Sequence, residues 1–107
     1  MIVDAGACGF RSRITAKKED RRQVRVEIES NCESVGKVGE KLEKLGLRDV
    51  MGKGTNGNKI LAIGMETLSH SGCPVLSAII KACEVELGLN VPCPVKIEFE
   101  ESTDRSD

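Results

Sequence analysis

The sequence predicts an α+β domain, in which a small antiparallel sheet (a first strand, a hairpin and a late C-terminal strand) carries about three helices on one face. Three observations predict it. Apolar and polar residues alternate with a period of two over residues 10–17 and again over 24–29. Apolar residues then recur at three- and four-residue spacing through the middle of the chain, and the period of two returns at 95–99. Runs of strands followed by runs of helices segregate the helices to one sheet face.

Met1 to Asp4 reads as a short strand, followed by the glycine-rich stretch Ala5, Gly6, Ala7, Cys8, Gly9. Phe10, Ser12, Ile14 and Ala16 alternate with Arg11, Arg13, Thr15 and Lys17; after a polar turn at 18–22, Val24, Val26 and Ile28 alternate with Arg25, Glu27 and Glu29. The two runs form a hairpin with one wet face. Ser30 with Glu33 matches a capping box, with Asn31 an alternative cap, and Val35, Val38, Leu42 and Leu45 keep helical spacing up to Gly46. Residues 52–58 hold Gly52, Gly54, Asn56, Gly57 and Asn58 and read as a loop. A second helix runs from Lys59 to about Ser69. The break at 70–74 starts a third, with Pro74 at its first position, Cys73 or Ser71 as cap, and Leu76, Ile79, Ile80, Cys83 and Leu87 on one face until Gly88. Val95, Ile97 and Phe99 alternate with Lys96, Glu98 and Glu100 as the last strand. Residues 1–101 thus form one domain, with 102–107 a polar tail.

Composition narrows the function. A chain of 107 residues with 39% hydrophobic and 31% charged residues and a formal net charge of −1 buries a core without covalent staples. Phe10 and Phe99 are the only aromatic residues, which removes base stacking as a binding mode. Residues 11–25 carry seven Lys or Arg against two acids, a pattern that solvated hairpin faces share with nucleic-acid footprints and that here favours the former. No apolar run of membrane-spanning length and no secretory leader is present, so the expected location is the cytoplasm, where the five cysteines stay reduced.

Those cysteines are the most informative residues. Cys8 sits among small residues, where Gly6 and Gly9 let the backbone wrap closely around a ligand, as Gly72 does before Cys73. Cys32 and Cys73 fall at expected helix starts, where unpaired N–H groups favour the thiolate that binds metals. Cys83 lies on the buried face of its helix and reads as a core filler. Cys93, between Pro92 and Pro94, reads equally as filler or as a further ligand, and His70 as a capping residue or a ligand. No Cys-x-x-Cys pair is present, which argues against thioredoxin-type redox chemistry and a common zinc knuckle.

Ala7-Cys8-Gly9 before the hairpin, Cys32 24 residues on at its end, and Cys73 a further 41 on at the head of a late helix together resemble the iron–sulfur cluster scaffold family, the IscU type and the N-terminal domain of NifU. The resemblance covers roughly residues 5 to 87. It implies a non-enzymatic protein that holds a cluster on Cys8, Cys32 and Cys73 with His70 or Cys93, and a protein partner for cluster or metal transfer. The family has an Asp two residues after the first Cys where this chain has Phe10, a Gly after the second Cys where it has Glu33, and a His adjacent to the third Cys where this one stands at position 70. The Asp keeps the cluster labile, so the resemblance implies binding more strongly than transfer.

Zinc accepts the same ligands as an iron–sulfur cluster. A thiol enzyme with Cys73 as nucleophile and His70 as base is the first alternative. A nucleic-acid or protein-binding module using the basic hairpin is the second. Gly36-Lys37-Val38-Gly39 matches the GxxG loop of KH domains superficially, but it falls inside a predicted helix, where small residues serve close packing. A homo-oligomer is compatible with every one of these readings.

Overall fold

A computed structural model describes residues 1–4, 9–42, 44–69 and 72–100. It shows an α+β fold: a four-stranded antiparallel sheet with helices on one face. The first strand, β1 (Ile2–Asp4), pairs with β2 (Arg11–Asp20), and β2 with β3 (Gln23–Ser30) across a tight turn at Arg21 and Arg22, with a bulge between Lys18 and Asp20. The expected hairpin is therefore present and longer than the alternation alone indicates. Ser12, Ile14, Val24 and Val26 are buried on its inner face, Ile28 is half-buried, and Arg11, Arg13, Arg25, Glu27 and Glu29 face solvent.

Helix α1 (Glu33–Lys41) follows, and Gly39 lets it lie close on β3, since a side chain there would press on the Ile28 Cβ at 3.0 Å. Of the small residues at 36–39, only Gly39 shows the expected close packing; a side chain at Gly36 would meet open space. The helix stops sooner than its pattern suggests. Leu42 takes φ −107° and ψ 29°, and Lys44–Gly46 becomes strand β4, paired with β3 so that Leu45 lies opposite Val24. Leu42 and Leu45 are both buried, so the core is served by a break that a three-residue apolar spacing cannot distinguish from continued helix.

The short helix α2 (Leu47–Met51) fills a stretch the sequence leaves unassigned, α3 (Gly54–Gly57) occupies much of the expected loop at 52–58, and α4 (Lys59–Thr67) and α5 (Val75–Glu86) match the second and third expected helices closely. Buried Asn58 organises this stretch: its amide donates to the carbonyls of Val50 and Gly52 at 2.9 and 3.0 Å, and its Oδ1 caps α4 by accepting from Leu61 N–H. At Gly64, α4 meets α5 so closely that a side chain would run into Leu76.

The late strand is a correction. Val95, Ile97 and Phe99 are 61%, 82% and 102% exposed and pair with no strand among the described residues. Strand β4 takes the Gln23–Arg25 end of the β3 edge, and the chain turns tightly at Pro92 after leaving α5, with the Cys93 N–H donating to the Val91 carbonyl at 2.8 Å. Among the described residues no helix is long and apolar enough to cross a membrane.

Candidate metal centre

Cys32 is positioned by the end of the hairpin. β3 ends at Ser30, whose Oγ accepts from Ser12 Oγ at 2.8 Å and from the Cys32 N–H at 3.0 Å. That double contact pins the chain where it turns from sheet to helix, so the N-cap of α1 is Cys32, where the sequence suggested Ser30 or Asn31. The Cys32 Sγ lies 3.4 Å from Ser34 Oγ, which is in turn 3.5 Å from Ser69 Oγ. The Ser34 hydroxyl, followed by the backbone N–H groups of Val35 and Ser34, holds the Cys32 thiol below its ordinary pKa, and these outweigh burial and the Glu33 charge. A helix start thus favours the thiolate here.

Cys73 reaches the same place from the far end of the chain. It is half-buried just before Pro74, the N-cap of α5, and it shares with Cys32 a cavity of about 210 Å³ lined also by Phe10, Ser34, Leu68 and Ser69. The volume is several times the ~30 Å³ share of one water molecule. Two thiols from positions 41 residues apart therefore open onto one space.

The other expected site residues divide clearly. Cys8, Gly6 and His70 lie outside the described residues, as does the alternative cap Ser71. Gly9 has a φ of +72°, a backbone state that favours glycine, whereas a side chain at Gly72 would meet open space. Cys83 is fully buried in the core, as expected, and burial, with a smaller contribution from Glu84, pushes its thiol up to about 12. Cys93 is exposed on the C-terminal segment and does not line the cavity. Among the described residues no group of three or more His, Cys, Asp or Glu side chains comes together. Sequence reasoning missed the hydroxyls of Ser34 and Ser69; the Cys-x-Ser spacing at a helix start was the available signal for the first.

Residues 1–99 match a family of unknown function, DUF6951. The chain belongs to that family. No curated protein and no solved structure matches it. The DUF6951 match takes in the cavity residues and the exposed segment through Phe99.

Proposed function

We propose that this DUF6951 chain is a non-enzymatic, cysteine-ligated metal-binding protein, with Cys32 and Cys73 as its first two ligands and an iron–sulfur cluster as the favoured cargo. The observation that carries the reading is the shared cavity of these two thiols, one of them tuned toward the thiolate. A four-coordinate centre needs about two further donors. In the sequence Cys8 stands two residues before Phe10 and His70 one after Ser69, both cavity residues, which makes them the candidates for those donors. The scaffold resemblance names the same donors. Bound here, a cluster would be partly shielded by Phe10 and Leu68, and a protein partner would accept it at the open rim. Zinc fits the same donor set and is the alternative cargo.

The thiol-enzyme reading is weaker, because the thiol with a lowered pKa is Cys32 and its neighbours Ser34 and Ser69 are hydroxyls, which are poor general bases.

The test is metal and sulfide analysis of protein purified without oxygen. Stoichiometric metal in the parent chain, lost in Cys32→Ser and in Cys73→Ser but kept in Cys83→Ala, is the expected result. A metal-free parent with both thiols freely titratable overturns the reading.

A further inference from the structure

The outer edge of β2 and the segment 95–100 are complementary, and we propose that the segment is an exchange arm that pairs with β2 of a second copy of this chain, closing a two-fold dimer. The edge is open where the arm would fit. Strand β1 pairs only with Arg11–Arg13, and Met1 and Ile14 exchange backbone hydrogen bonds just beyond. Those bonds show that the backbone groups of Ile14 face outward, and so, at a spacing of two, do those of Ala16 and Lys18, up to the bulge between Lys18 and Asp20. The Lys18 N–H confirms it, since it donates outward to the Glu86 carboxylate at 3.1 Å. No strand covers this edge from Thr15 to Asp20 among the described residues. A single carboxylate stands in for one.

The arm supplies a strand of the right length and pattern. Val95, Ile97 and Phe99 project to one side with nothing against them, and Lys96 and Glu98 share the other, joined by a 2.8 Å ion pair. Charge selects the register. An antiparallel alignment with Phe99 opposite Ala16 places Ile97 opposite Lys18, so that the apolar side falls on the helix-bearing face of the sheet. The same alignment sets Glu98 against Lys17, an opposite-charge pair on the wet face; beyond Lys18 the bulge interrupts the register, and Glu19 is already paired with Arg25 and Lys44 at 3.7 and 3.3 Å. Moving the antiparallel register by two residues, with Ile97 opposite Ala16, sets Lys96 against Lys17. In the favoured register, residues 97–100 fill positions 18–15, between the bulge and the start of β1.

The occupant is a second copy and not the arm's own sheet. The arm leaves α5 beside its own β2 edge, as the Lys18–Glu86 contact shows, but a tight turn at Pro92, in which the Cys93 N–H donates to the Val91 carbonyl at 2.8 Å, redirects the chain, and the residues beyond it stay off that edge. The molecule measures 53 Å along its long axis against 28 and 25 Å across. An arm whose apolar side is left exposed by its own body reaches a neighbour's edge, and two reciprocal exchanges satisfy both chains. The family match runs through this arm to residue 99.

Sedimentation equilibrium of the full chain under reducing conditions tests the proposal. The expected result is a species of twice the 11.6 kDa chain mass that dissociates on dilution, with amide exchange at Ala16 and Ile97 protected only in the dimer. Lys17→Glu and Glu98→Lys should each weaken association on the order of tenfold, and their combination should restore it. Ile97→Asp/Phe99→Asp, which removes the arm's apolar side, and Ala16→Pro, which removes an edge donor where an edge strand tolerates proline, should each be monomeric alone and form a heterodimer when mixed. A parent chain that stays monomeric at several hundred micromolar, with the arm either unprotected or protected against its own sheet, overturns the proposal. So does a dimer that survives the Ile97/Phe99 change, or one that reductant abolishes, which would be a Cys93 disulfide.

Discussion

Strand β3 and the C-terminal arm carry the same pattern and meet opposite fates. Val24, Val26 and Ile28 alternate with charged residues and pack beneath the helices, whereas Val95, Ile97 and Phe99 alternate as cleanly and stand in solvent. The difference is not in the residues. It lies in which sheet edge each segment can reach: β3 is joined to β2 by a two-residue turn, while the arm leaves α5 through two prolines. Alternation states that a segment can be half-buried; connectivity decides against what. The cysteines repeat the contrast, since Cys83 is enclosed by the α5 core and Cys32 sits at a helix start facing hydroxyls and amide N–H groups.

The sharpest test of that contrast places one charge in each segment. Val24→Asp buries a carboxylate where the parent side chain is wholly enclosed and should cost about 4 kcal/mol or more. Ile97→Asp should change monomer stability by less than about 0.5 kcal/mol, as read by urea denaturation. Comparable losses would mean that the arm belongs to the monomer's core.

The next effect concerns pH. Cys83 titrates at about 12 in the folded chain against 9.0 for an ordinary thiol, so above pH 9 the unfolded state releases a proton that the native state keeps. Stability is therefore full below pH 9 and declines as pH rises toward 12, on the order of a few kcal/mol across that window. Cys83→Ala should decline less steeply over the same range. Parallel profiles would show that the buried thiol titrates normally.

Reactivity should separate the two cysteines in the other direction. In metal-free protein, iodoacetamide should modify Cys32 well before Cys83, and the Cys32 rate should persist to lower pH than that of an ordinary thiol, with site-resolved mass spectrometry as the readout. Equal rates would remove the argument from the helix start. The smallest change is expected from Ser34→Ala, which deletes the leading contribution to the lowered Cys32 pKa and should move that rate profile to slightly higher pH with little effect on stability.

Much of the fold was legible because its signals are local. The hairpin followed from alternation, α4 and α5 from apolar spacing and the Pro74 start, and the burial of Cys83 from its place on the α5 stripe. Strand β4 was not legible, because Leu42 and Leu45 satisfy helical spacing and only their packing against β3 reveals the break. The short helix at 47–51 spans too few residues to show a period, that at 54–57 was hidden by glycines, and their organiser, Asn58, reads in sequence as one more loop residue. At the candidate site, Cys32 and Cys73 were marked by their residue type and helix-start positions. Their meeting in one cavity depends on α5 docking on β2, a long-range event that no local pattern encodes.

The order of strands in the sheet follows the order of the chain, β1-β2-β3-β4, so every strand pairs with its sequence neighbour. The β1–β2 and β2–β3 pairings close only short loops, the β3–β4 pairing encloses α1, and all of them can form within the first half of the chain as it emerges from the ribosome. The closure that spans the molecule is α5 onto β2, marked by a Lys18–Glu86 contact between residues 68 apart. Docking that helix is the kinetically late event on these grounds, and the Cys32–Cys73 cavity is completed only then. Substitutions on the buried face of α5 should therefore speed unfolding while leaving the folding rate nearly unchanged.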